Sequence, residues 1–324
     1  MKSMIIAAAS AGAALALEQL EVEFMQYISK HNKSYESLEH FQERFALFME
    51  KDAFIKEHNA SNANFTLAHN QFSDMTDMER KSVLGLRTNS PRENKAAKVL
   101  STDDLPASID WRDLGAVNPI QDQGQCGSCW AFSATGSLEG AHFLASGDLL
   151  KFAESQLVDC ANVRHGYINF GCNGGLSERA WNYWSTHDAI LESDYPYVAA
   201  DGDCQYDSLP HTAVETQGWE NVTADDVDQV RAAVANQPIS IAIEADKLVF
   251  QLYSTGIFDS PKCGTTLDHA VMIVGYGSEN GQDYFILRNS WNTTWGEEGY
   301  MRIAAEAGDG VCGMNMEAQY TAAN

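Results

Sequence analysis

Seven cysteines constrain this chain more than any other feature. Cys126, Cys129, Cys160, Cys172, Cys204, Cys263 and Cys312 all lie beyond Asp104. An odd set allows three bridges and leaves one thiol over, and in an exported protein the leftover thiol needs a reason. The first residues point to export. Met1-Lys2 opens an Ala-rich uncharged run ending Ala14-Leu15-Ala16, which reads as a secretory signal over 1–16 with cleavage after Ala16. The 324 residues suggest more than one compact unit, and no uncharged apolar run of 18 residues is present to span a bilayer as a helix.

Charge and patterning change near residue 104. Residues 1–104 hold 12 basic and 15 acidic side chains; residues 105–324 hold 9 and 30, net −21. That surplus repels phosphate backbones and anionic lipid, which excludes nucleic acid as an expected partner. Helical spacing predicts amphipathic helices over 18–31 (Leu20, Phe24, Tyr27) and about 36–61 (Phe41, Phe45, Phe48, Ile55). Residues 65–72 read as a strand, and Thr76-Asp77-Met78-Glu79 as the capping box of a short helix ending near Gly85. From Arg87 to Asp104 the chain is polar and aperiodic, an exposed linker suited to proteolysis. Beyond Leu105, residues 129–145 read as a helix closed by Gly147. Residues 238–243, 269–276, 283–289 and 299–303 read as strands. Helices first and strands later suggest an α+β arrangement, a helical lobe over about 105–215 and a β lobe over about 216–324.

Cys129 falls at the start of the predicted helix, where the positive end of the helix dipole favours thiolate. For Cys126-Gly127-Ser128-Cys129 there are three readings: a disulfide-exchange pair, half of a zinc site, or one structural and one catalytic cysteine. The first normally neighbours a βαβ unit and the second wants another ligand pair of similar spacing. Neither accompaniment is visible, so the third is favoured, and no metal or cofactor is expected.

The segment Gln123-Gly124-Gln125-Cys126-Gly127-Ser128-Cys129-Trp130 resembles the active-site segment of papain-family cysteine proteases, most closely their cathepsin L-like branch. Asp159-Cys160, Gly171-Cys172-Asn173-Gly174-Gly175, Leu267-Asp268-His269-Ala270-Val271 and Asn289-Ser290-Trp291 follow in the family's order. Upstream, Arg44, Phe48, Ile55 and Asn59, then Asn70, Phe72 and Asp74, resemble the family's inhibitory propeptide, although His40, Lys51 and Ala68 replace its usual Glu, Asn and Gly.

The resemblance implies a papain-like two-lobe fold, a helical lobe plus an antiparallel β-barrel-like lobe. A mostly helical propeptide with its linker (17–104) precedes the mature peptidase (105–324). It implies Cys129 as nucleophile, His269 as general base and then acid, Asn289 as the group orienting the imidazole, and Gln123 as oxyanion donor. A thiolate–imidazolium pair would supply the attack on the peptide carbonyl, and one oxyanion donor is worth about 3 kcal/mol. It pairs Cys126 with Cys172, Cys160 with Cys204 and Cys263 with Cys312. Gly127, Gly174, Gly175, Asp268 and Trp291 fall along the substrate cleft. The pocket for the second residue before the scissile bond takes Leu176, Ala242, Leu267 and Ala270, with Glu317 at its closed end. Expected partners are protein and peptide substrates and the chain's own propeptide. The mature form is expected to be monomeric, in the secretory pathway, lysosome-like vacuole or extracellular space. Two other functions fit parts of the sequence: thiol–disulfide exchange through Cys126 and Cys129, and inhibitory binding through residues 17–100.

Overall fold

The computed structural model describes residues 17–61, 63–88, 93 and 95–323. The expected signal segment 1–16 and part of the expected linker, Pro91 included, lie outside the described residues. Helix α1 is described over 17–30, and α2 spans Leu38–Asn59, where the Ser37 side chain accepts the His40 N–H as a cap. Phe24 joins them, its ring 5.1–5.3 Å from those of Phe41, Phe45 and Phe48. Strand β1 covers only Phe65–Leu67. The strand expected to reach residue 72 stops there because Asn70 turns the chain. Its side-chain oxygen accepts the Phe72 N–H, and its carbonyl accepts the Ser73 N–H. Helix α3, Asp77–Ser82, begins with both bonds of the Thr76–Glu79 capping box and ends three residues short of Gly85.

Beyond residue 104 the chain builds two cores. Helices α4 (Cys129–Ser146), α5 (Glu154–Cys160) and α6 (Ser177–Trp184) pack around Trp130, Leu138, Phe152, Trp181 and Trp184. Gly147 closes α4 in the left-handed conformation at φ +83°.

The second core is a sheet. Its strands are β2 (Ile109–Asp110), β3 (Thr216–Asn221), β4 (Ile239–Ile243), β5 (Tyr253–Phe258), β6 (His269–Glu279), β7 (Gln282–Arg288), β8 (Tyr300–Ala304) and β9 (Ala318–Ala323). Among the described residues the order is β1-β5-β8-β7-β6-β4-β9-β3, with β2 on β6. All neighbours are antiparallel except β5 and β8. The expected α+β class is present. The ordering of helices before strands needs correction, because α7 (Val227–Asn236) and short α8 (Leu248–Gln251) sit within the strand-rich half. Asp226 starts α7 by accepting the Asp228 and Gln229 N–H groups.

The lobes meet on the buried face of α4. Ser133 donates to the Ser240 hydroxyl at 2.6 Å, and Ser240 bonds Ser177, so three hydroxyls tie helix, strand and neighbouring helix together. Disulfides join Cys126–Cys172, Cys160–Cys204 and Cys263–Cys312, and Cys129 is free and buried.

Candidate active site

Cys129 is the first residue of α4, and His269 is the first residue of β6, across the lobe junction. His269 Nε2 lies 2.9 Å from Asn289 Oδ1, at the end of β7. Among the described residues its Nδ1 is buried without a hydrogen-bond partner. The Trp291 ring stacks on the imidazole with centroids 4.6 Å apart, and all three residues are at most 3% exposed. Water is therefore kept from the His269–Asn289 bond.

Gln123 is fully buried. Its Oε1 accepts the Ser290 hydroxyl at 2.6 Å, while its Nε2 donates to the carbonyls of Cys126 and Val83 at 2.8 and 2.7 Å. The Tyr197 hydroxyl donates to the Gln123 carbonyl and bonds Ser128, bracing the loop before Cys129. Ser290 and Tyr197 carry no role in the sequence reading. Ser290 stands inside a recognised block and could have been found there; Tyr197 sits in no motif.

Val83 belongs to the N-terminal unit, whose chain continues through the cleft. Gly85 N–H donates to Cys129 Sγ at 3.3 Å, Gly175 N–H donates to the Gly85 carbonyl at 2.8 Å, and Leu86 N–H donates to the Asp268 carbonyl at 3.0 Å. Leu86 pairs in parallel with Gly175. Two glycines make the approach possible. A Cβ on Gly85 would stand 1.8 Å from the Gly127 carbonyl oxygen, and one on Gly174 would stand 2.4 Å from the Gly85 oxygen.

Burial shifts the titrating groups of the site. Burial pushes the Cys129 thiol up to about 11, against the backbone N–H groups of Ala270 and Gly85 that favour thiolate. Burial pulls His269 down to about 4, opposed by its bond to Asn289. Asp268 is raised to about 7, mainly by burial.

Leu176, Ala242, Ala270 and Glu317 line one small pocket together with Leu86 and Glu178. Among the described residues Leu267 is not part of that lining; it abuts Gly313. With Leu86 present the pocket retains a cavity of about 10 Å³.

Comparisons with known proteins show the family of both units. Residues 105–322 match the papain family cysteine protease domain, and residues 24–79 match the cathepsin propeptide inhibitor domain. The chain belongs to the papain family of cysteine proteases. It is similar to cysteine proteinase RD21A of Arabidopsis thaliana, 42% identical, over 92% of this chain and 65% of that protein, so it spans less than two thirds of that relative's length. It is likewise 42% identical to digestive cysteine proteinase 1 of Homarus americanus, over 94% of this chain and 96% of that one. Among solved structures, digestive procathepsin L 3 from the Tenebrio molitor larval midgut superposes with a TM-score of 0.84 at 37% identity, covering 94% of this chain and 99% of that one.

Proposed function

We propose that the chain is the precursor of a cysteine endopeptidase that cleaves peptide bonds through Cys129, His269 and Asn289, with Gln123 donating to the oxyanion. One observation carries this: Asn289 holds His269 by Nε2, which leaves Nδ1 free of partners at the junction where Cys129 begins α4. His269 takes the Cys129 proton, the thiolate attacks the carbonyl, and the imidazolium returns the proton to the departing amine. Water then hydrolyses the thioester. The Cys126–Cys172 bridge removes Cys126 from chemistry, which argues against thiol–disulfide exchange. Disulfides and a propeptide suit a secretory route to an acidic vacuole or the exterior. The test is titration of the activated enzyme with a peptidyl epoxide. One equivalent should label Cys129 alone and end all hydrolysis; hydrolysis persisting after full labelling would overturn the assignment.

Residues 17–104 act as the inhibitor, running along the cleft through Gly85, Leu86 and Arg87 and holding Gln123 through the Val83 carbonyl. Acid release follows from histidines of the propeptide core. His31 is lowered to about 4, chiefly by burial and then by Lys30 and Lys33, against Asp74. His69, stacked on Phe48 at 3.9 Å, is also lowered by burial, with Asp52 opposing. An unfolded propeptide takes up these protons near pH 6.5 and the folded one resists until lower pH. The histidines thus leave stability intact above about 6.5 and withdraw it as pH falls toward 4. Replacing His69 by Gln should move the activation midpoint to lower pH. An unchanged midpoint in a pH series of activation rates would remove His69 from the switch.

The pocket lined by Leu176, Ala242, Ala270 and Glu317 accepts the second residue before the scissile bond. Its apolar walls suit Leu or Phe, and the Glu317 carboxylate adds Arg, since a charge-assisted pair contributes about 1.5–3 kcal/mol. In Glu317→Gln, kcat/KM for a peptide with Arg at that position should fall about tenfold while the Phe peptide changes little. Equal effects on both would show that Glu317 does not discriminate between them.

A further inference from the structure

The segment expected to be an exposed linker is partly docked. Lys95 lies over the face of Trp219, its ammonium 5.0 Å from the ring centroid, donates to the Trp219 carbonyl and stands 3.4 Å from the Glu220 carboxylate. The contacts around it read main chain. Asn221 Nδ2 donates to the Lys95 carbonyl at 2.7 Å, and the Asn221 carbonyl accepts the Lys98 N–H. Gln229 grips Leu100 on both sides, accepting its N–H at 2.8 Å and donating to its carbonyl at 3.0 Å. Together, β3 and the first turn of α7 hold this segment by its backbone and one residue by its positive charge.

The receiving side chains are positioned by the part of the chain that remains after maturation. Asn182 Oδ1 accepts the Trp219 indole N–H at 3.0 Å, and Gln319 donates to Asn221 Oδ1 at 3.0 Å. Glu178 and Glu317 line both the Leu86 pocket and an adjoining cavity of about 320 Å³ that reaches Lys95 and Asn221. An acidic path therefore runs from the catalytic pocket to the lysine seat, on a half-molecule whose net charge is −21.

We propose that this surface is an exosite of the mature enzyme. Once residues 93–100 leave, Trp219 and Glu220 seat a lysine or arginine of a protein substrate, while Asn221 and Gln229 hold the extended chain around it. The inference rests on the proposed maturation, which vacates the seat. An ammonium over an indole and a partly exposed ion pair are each modest, so their joint effect on substrate capture is about three- to tenfold, and salt weakens it. Rim charges of this kind act mainly on the rate of encounter.

The experiment uses mature enzyme obtained by activating the full-length chain, with a short dipeptide reporter that does not extend to β3 and a denatured lysine-rich protein in native and lysine-acetylated forms. Glu220→Gln should cut kcat/KM on the native protein about threefold or more, and Glu220→Lys should cut it further. Reporter hydrolysis and cleavage of the acetylated protein should be unchanged between variants. A free peptide of residues 93–102 should compete with cleavage of the native protein and spare the reporter; its Lys95→Gln counterpart should compete less. Equal rates of wild type and both Glu220 variants on the native protein, with the reporter turned over normally, would overturn the exosite while leaving the protease assignment standing. Loss of reporter turnover in the wild type would instead strike the assignment itself.

Discussion

Replacing Cys129 by Ala is expected to abolish peptide hydrolysis, a loss on the order of 10⁴-fold or more, while the full-length protein folds as before. The side chain is fully buried at the first position of α4, and the change removes one sulfur and adds no bulk. Its structural cost is the acceptor that Gly85 N–H now uses, about 1 kcal/mol. His269→Ala should approach the same loss because it removes the proton carrier. Asn289→Ala should cost less, since the imidazole keeps its chemistry and its stacking on Trp291. The measurements are turnover of a dipeptide reporter after activation in trans and far-UV circular dichroism of the precursor. Retained turnover in Cys129→Ala, or a larger loss in Asn289→Ala than in His269→Ala, would contradict the roles proposed.

Gly85→Ala is expected to unseat the inhibitory segment. The new methyl would stand 1.8 Å from the Gly127 oxygen and 2.4 Å from its carbonyl carbon, so main chain meets main chain and no side chain is available to yield. Gly127 is pinned in turn, because its N–H donates to the Cys172 carbonyl and Cys172 is bridged to Cys126. The propeptide has to lift. Lifting breaks the bonds from Gly85 to Cys129 and Gly175 and from Gln123 to Val83, three contacts of about 1 kcal/mol each. Inhibition of mature enzyme by added residues 17–104 should weaken about 100-fold. Alanine inhibiting as well as glycine would mean that the segment does not hold the cleft through Gly85.

Local signals were the legible ones. The Thr76–Glu79 capping box, the Gly147 stop of α4 and the apolar runs of β4, β7 and β8 depend on neighbours in sequence, and each is found within a residue or two of its expected place, while β6 starts where expected and runs three residues further, to Glu279. The bridge partners came from resemblance alone, since cysteine spacing permits many pairings. Long-range and backbone-directed contacts were not legible. Residues 95–100 look like a free linker because Asn221 and Gln229 hold their main chain, and main-chain recognition leaves no trace in side-chain pattern. Tyr197 braces the Gln123 loop from 74 residues away. Gly85 and Val83 reach Cys129 and Gln123 from another unit of the same chain, a contact that no motif records.

Strand β1 belongs to the propeptide, yet it completes the sheet of the enzyme. It pairs with β5, and Phe65 packs 4.7 Å from Phe258. When it departs, β5 becomes a raw edge with free N–H and carbonyl groups, the kind of surface that recruits a strand from a second molecule. Gly256, at φ +100°, interrupts the flat run, and Glu297 holds the Gly256 N–H and the Thr255 hydroxyl. In the precursor β1 keeps that edge covered. In the proposed mature form, residues 105–324, the net charge of −21 would repel like copies and keep those edges apart, so colloidal stability would pass from a strand to a charge and become sensitive to salt.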